Sequence, residues 1–169
     1  PSEFQKGYIG FVMGAKYFTK QLPTEKIISI CKKLNLPVVL LGGKEDAEKG
    51  NSICEFLTKN IYNACGKYNL NQSASLVKQA KKIITHDTGL MHIAAAFQKE
   101  IVSVWGNTIP EFGMFPYYGN DQISNLKSQI SNLSCKPCSK LGFPKCPKNH
   151  FKCMNEINED EIVNFIRLD

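Results

Sequence analysis

The stretch Lys81-Lys82-Ile83-Ile84-Thr85-His86-Asp87-Thr88-Gly89-Leu90-Met91-His92-Ile93-Ala94-Ala95-Ala96-Phe97 decides how this chain is read. Ile83 to His86 predicts a short buried strand. Asp87-Thr88-Gly89 is an abrupt polar turn, and a helix is predicted after it. That helix is apolar on nearly every side, which predicts burial all round. His92, its one ionisable residue, falls in the first turn. Gly89 lets a ligand approach the backbone closely. The first amides of a helix lack intrahelical partners and carry partial positive charge, so such a junction is a ready anion site. Two blander readings stand beside this one: Asp87 or Thr88 as a helix cap, and His92 as a satisfied core histidine. Acid, hydroxyl, glycine and histidine grouped at one strand-to-helix junction favour the site.

Outward from this junction the pattern repeats. Tyr8 to Met13, Pro37 to Leu41, Ile61 to Cys65 and Glu100 to Trp105 are further continuously apolar strands. Helices are predicted from Pro23 to Asn35, from Glu45 to Lys59, and from Gln72 to Ala80, the last capped by Asn71 or Ser73. Five alternations of apolar strand and helix predict an α/β fold, a parallel sheet covered on both faces. Ligands of such sheets bind beyond the carboxyl ends of the strands. Those ends hold Gly14 to Lys20, Gly42 to Asp46, Thr85 to His92 and Gly106 to Tyr118. No G-x-G-x-x-G follows a strand, which argues against a standard dinucleotide fold, and no G-x-x-x-x-G-K-[ST] is present.

The 169 residues make one domain with a good-sized core, 43% hydrophobic and 21% charged, which is globular rather than disordered. No apolar run approaches the ~20 residues of a membrane helix. The opening Pro-Ser-Glu-Phe-Gln-Lys is no signal peptide; it reads as the tail of a linker, so half of a longer protein is expected. The net charge of +6 comes almost wholly from lysine, Arg167 being the one arginine. Base readout and bidentate phosphate clamps favour arginine, which weakens a nucleic-acid role. The charge suits an acidic small ligand or an anionic membrane face.

His86 to Ala96, followed by a strand and Trp105-Gly106-Asn107-Thr108, resembles the heptosyltransferase family of glycosyltransferases, which build the inner core of lipopolysaccharide. Thr19-Lys20-Gln21-Leu22-Pro23, Leu41 to Asp46, Ala64-Cys65-Gly66-Lys67 and Pro116-Tyr117-Tyr118-Gly119 agree in order and spacing. The resemblance implies two Rossmann-like domains facing a cleft, the arrangement called GT-B. Residues 1–169 would be the C-terminal, sugar-nucleotide-binding domain. The N-terminal domain, with the lipid-linked saccharide acceptor site and the general base, is absent. The implied reaction moves heptose from a nucleoside-diphosphate sugar, ADP-heptose, with inversion and without a metal ion or other catalytic cofactor. The protein would be cytoplasmic, with peripheral contact to the inner membrane.

By motif position, the resemblance places Lys20 on the donor diphosphate and the amides of Thr88 and Gly89 beside it. Glu45 would accept from ribose hydroxyls, Asp87 would contact sugar hydroxyls, and His92 would border the phosphates or steady the turn. Lys20 and Asp87 are the candidate transition-state stabilisers. The family often has Lys-Arg-Trp-Pro where this chain has Lys20-Gln21-Leu22-Pro23. Such residue types suit the chemistry: a departing nucleoside diphosphate gathers negative charge, and without a metal, fixed dipoles and a lysine must stabilise it. On the blander readings Lys20 is a loop lysine and Glu45 a helix-opening acid favoured by the dipole.

Cys31, Cys54 and Cys65 read as core residues among seven cysteines. Cys135, Cys138, Cys146 and Cys153 form C-x2-C-x7-C-x6-C in a Pro- and Lys-rich loop spanning about residues 134–154. Reduced thiols at this spacing suggest a structural zinc or an iron–sulfur site, with His150 able to replace one ligand. Disulfides or plain thiols are the other readings. A loop this long needs a staple of some kind. Asn158-Glu159-Asp160-Glu161 opens a last helix carrying Ile162, Phe165 and Ile166, which in the two-domain fold tends to pack across the interdomain cleft. The rival to a sugar-nucleotide enzyme is a non-catalytic module that holds nucleic acid or a protein through a cysteine knuckle and the lysines.

Overall fold

The computed structural model describes residues 2–119 and 125–167. Its elements run β1 (Ile9–Val12), α1 (Thr24–Lys33), β2 (Val38–Leu41), α2 (Ala47–Leu57), β3 (Ile61–Asn63), α3 (Leu70–Gln79), β4 (Lys82–His86), α4 (Gly89–Ala96), β5 (Glu100–Trp105), β6 (Leu126–Ile130), α5 (Lys152–Asn155) and α6 (Glu159–Ile166). The six strands lie in the order β3-β2-β1-β4-β5-β6, and every pairing is parallel. This is the strand order of the doubly wound Rossmann fold, reached here without its glycine fingerprint.

Alternation along β1 explains the two covered faces. Ile9, Phe11 and Met13 face the core formed with α1, α2 and α6, whereas Tyr8 and Val12 face the core formed with α3 and α4. Phe11, Ile27, Ile53, Ile84 and Ile162 are fully buried on the first side, and Val77, Ile83 and Ala94 on the second. Each large side chain so buried contributes roughly 1.5–3 kcal/mol of hydrophobic stabilisation.

The structure departs from the sequence reading in several places. β6, with the sequence Leu-Lys-Ser-Gln-Ile, was not expected. As an edge strand its residues are mostly half-buried, so it carries no apolar run. α3 is capped by Asn69, whose side chain accepts from the Gln72 amide while Gln72 returns a bond to the Asn69 amide. α4 is buried on one side only: Met91, Ala94 and Ala95 are inside, while His92, Ala96 and Phe97 are exposed. α6 packs against α1, β4 and β5 of its own domain, with Ile162, Val163 and Ile166 in the first core. Asn158 caps it by accepting from the amides of Asp160 and Glu161. Among the described residues no helix is long and apolar enough to cross a membrane.

Candidate functional site

The carboxyl ends of β1, β2 and β4 are level, because Val12 pairs with both Leu41 and Thr85. The chain leaves β1 towards one side and β4 towards the other, which opens a crevice at the point where the strand order reverses. A cavity of about 860 Å³ occupies it. Its floor is Val12, Gly14, Gly42 and Gly43. One wall carries Glu45, Asp46 and Lys49, from the turn leading into α2 and from its first residues. The other carries Thr88, Gly89, Leu90 and Ile93 from α4. Tyr68, Leu70 and Ser73 complete it at the start of α3, and Ala15, Lys16 and Gln21 on the β1 side. A side chain at Gly14 or Gly42 would collide with the Asp46 carboxylate, so the floor must be glycine. Asp46 in turn accepts from the Gly43 amide at 2.9 Å, and burial raises its pKa.

Three of the sequence-assigned residues face this cavity from its two walls. Glu45 is exposed to the cavity, and Thr88 and Gly89 open α4 there. Thr88 is the N-cap residue, and no side chain caps the helix. The anion site at the start of α4 is therefore not filled by the Asp87 carboxylate. A Cβ built on Gly89 meets nothing within 4 Å, so the space over this residue belongs to the cavity.

Lys20 and Asp87 are placed differently. Lys20 Nζ donates to Asp87 Oδ2 at 2.6 Å, and Thr108 Oγ1 donates to the same oxygen at 3.2 Å. The two side chains are only 11% and 6% exposed, and neither forms part of the cavity wall. Asp87 thus caps nothing; it forms a buried ion pair with the lysine assigned to the diphosphate.

The segment carrying Lys20 is a strap laced to its surroundings. Leu22 is held on both sides: its N–H donates to His86 Nε2 at 3.0 Å, and its carbonyl accepts from Lys49 Nζ at 3.0 Å. Gln21 Nε2 donates to the Ala15 carbonyl at 2.7 Å. Since His86 Nε2 accepts, the ring is neutral with its proton on Nδ1. Complete burial, with the Lys49 charge adding to it, pushes the His86 pKa down to about 3. His86, not His92, is therefore the structural histidine. His92 is exposed on α4, one turn after Gly89, and is not among the residues lining the cavity.

The cysteine loop is held down by hydrogen bonds. Among the described residues, no three His, Cys, Asp or Glu side chains converge to hold a metal ion, and all seven thiols are free. Cys138 Sγ turns to the Cys135 carbonyl at 2.9 Å, Cys135 Sγ lies 3.8 Å from His150 Nε2, and Cys153 is buried in the first core. Hydrogen bonds supply the staple instead. Lys136 Nζ donates to the Trp105 carbonyl at 2.6 Å, the Cys138 N–H to the Asn107 carbonyl at 3.0 Å, and the Phe143 N–H to Thr19 Oγ1 at 2.8 Å. The loop is thereby tied to the strap and to the end of β5.

Sequence comparison gives this geometry its family. Glycosyltransferase family 9 (heptosyltransferase) matches residues 1–143. The chain belongs to that family. Lipopolysaccharide heptosyltransferase 2 of Salmonella typhimurium is 34% identical over 116 residues, which is 64% of this chain and 33% of the relative. The structure of E. coli ADP-heptose lps heptosyltransferase II superposes with a TM-score of 0.74 at 25% identity, over 95% of this chain and 45% of that one. E. coli heptosyltransferase WaaC with ADP is alike in fold, with a TM-score of 0.69 at 21% identity over 98% and 45%. This heptosyltransferase-family chain spans about a third of the length of the curated relatives it matches. Within it, His86, Lys49 and Thr108 are structural partners that motif reading passed over. The one signal for Lys49 was a cation in the first turn of a helix, where the dipole disfavours it.

Proposed function

We propose that this chain is the donor-binding, C-terminal domain of a heptosyltransferase of GT-B architecture. In that reading, heptose moves from ADP-heptose to a lipopolysaccharide core acceptor by metal-independent inverting displacement. One observation carries the reading: an open cavity at the sheet's switch point, faced by a helix N-terminus that no side chain caps. Family membership, and ADP in the WaaC structure, support it.

The cavity's chemistry divides along its length. Tyr68, Leu70, Leu90 and Ile93 make an apolar end suited to a nucleobase. Glu45, exposed on the cavity wall, accepts from ribose hydroxyls in this reading. The Thr88 and Gly89 amides, with the helix dipole, stabilise charge gathering on the leaving diphosphate; losing one such donor costs on the order of 3 kcal/mol of barrier. Lys20 and Asp87 act as a unit behind the cavity wall, the buried pair fixing the turn that presents the Thr88 and Gly89 amides. The acceptor site, the general base and any contact with the cytoplasmic face of the inner membrane belong to the rest of the protein.

Calorimetric titration of the chain with ADP, UDP and a single-stranded oligonucleotide tests the reading. Binding of ADP in preference to UDP, with no heptose transfer by the chain alone, is expected. Tight oligonucleotide binding without nucleotide binding would replace the donor-domain reading with that of a nucleic-acid module.

A further inference from the structure

The pocket has an electrostatic imbalance that the motif residues do not resolve. A diphosphate would enter a cavity whose wall includes the carboxylates of Glu45 and Asp46. Lys20 is already neutralised by Asp87. Lys16 is exposed, 5.6 Å from the centre of the Tyr17 ring. Lys16 and Lys49 are the two cations on the wall, and of the two Lys49 is the one held in place and half-buried there.

Lys49 sits where a lysine is hard to explain structurally. It lies in the first turn of α2, at the positive end of the helix dipole. Among the described residues, no carboxylate lies within ion-pair distance of its ammonium group. Desolvation holds its pKa below the ordinary lysine range, while Asp46 and Glu25 offset this only from a distance. One of its three N–H donors reaches the Leu22 carbonyl at 3.0 Å. With Gln21, it also forms the wall shared with a neighbouring cavity of about 450 Å³. An anion in the main cavity would relieve both the unpaired charge and the unfavourable dipole.

We propose that Lys49 is the ordered cation this pocket presents to the leaving diphosphate, with Lys20 paired to Asp87 behind the wall. The proposal rests on the donor-domain reading above. It makes Lys49 a direct ligand contact outside the Asp-Thr-Gly block, and it assigns discrimination between a nucleoside diphosphate and its nucleoside to the start of α2.

Calorimetry with ADP and with adenosine, on the wild-type chain and on Lys49→Met and Lys49→Arg, tests it. A charge-assisted contact predicts about tenfold or greater loss of ADP affinity in Lys49→Met, adenosine affinity within about threefold, and near-complete rescue by arginine. An unchanged ADP affinity in Lys49→Met overturns the proposal. So does an equal loss for ADP and adenosine, which assigns Lys49 only to holding Leu22. If Lys49→Met does not fold, Lys49→Gln, which keeps a donor for the Leu22 carbonyl, takes its place with the same expected ratio. A wild-type chain that binds neither compound overturns the donor reading itself, whereas ADP binding that survives loss of Lys49 overturns this assignment alone.

Discussion

Two strand-to-helix junctions meet at the switch point, and they are built in opposite ways. After β4 the chain turns within two residues, Asp87 and Thr88, and leaves the start of α4 without a side-chain cap. After β1 it takes eleven residues, Met13 to Pro23, to reach α1, and the side chains of Asp87, His86 and Lys49 together with the Phe143 N–H hold it down. The short junction exposes its backbone polarity to the cavity. The long one satisfies its own polarity and brings up a lysine that is itself satisfied. In the usual dinucleotide fold the phosphate sits at the junction after the first strand; here both helices start without a side-chain cap, but only the start of α4, after β4, lines the cavity.

The ion pair that joins the two junctions is where the largest effect is expected. Lys20→Met leaves the Asp87 carboxylate buried with only Thr108 as partner. Breaking a buried pair from one side costs about 3–5 kcal/mol. Urea unfolding of Lys20→Met should show a loss of that order, and Lys20→Met combined with Asp87→Asn should recover most of it. A single variant as stable as wild type would mean that the strap does not depend on the pair.

The short junction was legible in the sequence and the long one was not, for a physical reason. A buried parallel strand needs a continuous apolar run, and a tight turn needs small polar residues, so Ile83 to Gly89 carries both signals locally. The strap's structure comes from residues distant in the chain: Leu22 is fixed by His86 and Lys49, and Thr19 by Phe143. No local pattern announces such partners. The same limit applies to Lys20. Its motif position was plain, but its pairing with Asp87 arises from a separation of 67 residues. β6 escaped because an edge strand does not require an apolar run, and the cysteine spacing suggested a metal knuckle because thiol spacing does not say where each sulfur points. His86, at 0% exposure, gave no local signal of the bond it accepts from Leu22, because that partner lies 64 residues away.

Acid sharpens the comparison without touching the short junction. The unfolded chain protonates His86 near its ordinary value of 6.5, whereas the folded chain holds it neutral down to about 3. Below pH 6.5 the unfolded state therefore binds the extra proton, and stability contributed by neutral His86 is progressively lost as pH falls. The limiting slope is about 1.4 kcal/mol per pH unit, so roughly 2 kcal/mol is lost between pH 6.5 and 5. His86→Gln removes the titrating ring while offering an acceptor to the Leu22 N–H. Its urea midpoint should be lower than wild type at pH 7 and less dependent on pH below 6.5. An unaltered pH dependence would place the acid sensitivity elsewhere.

The smallest effect separates the backbone of the short junction from its side chains. Gly89 is the first residue of α4, where proline is well tolerated because no intrahelical bond uses that N–H. Thr88 before it is already extended, at φ −154° and ψ 167°, the conformation a following proline demands. Gly89→Pro should therefore fold with stability close to wild type while removing one amide from the cavity wall. A hydrogen bond to a charged group is worth about 1.5 kcal/mol at the low end, or roughly tenfold in ADP affinity. Gly89→Ala controls for bulk, since its methyl enters the same open space with the N–H retained. If the proline variant binds ADP no more weakly than the alanine variant, the amide is not a ligand contact, and the difference between the two junctions lies in shape alone.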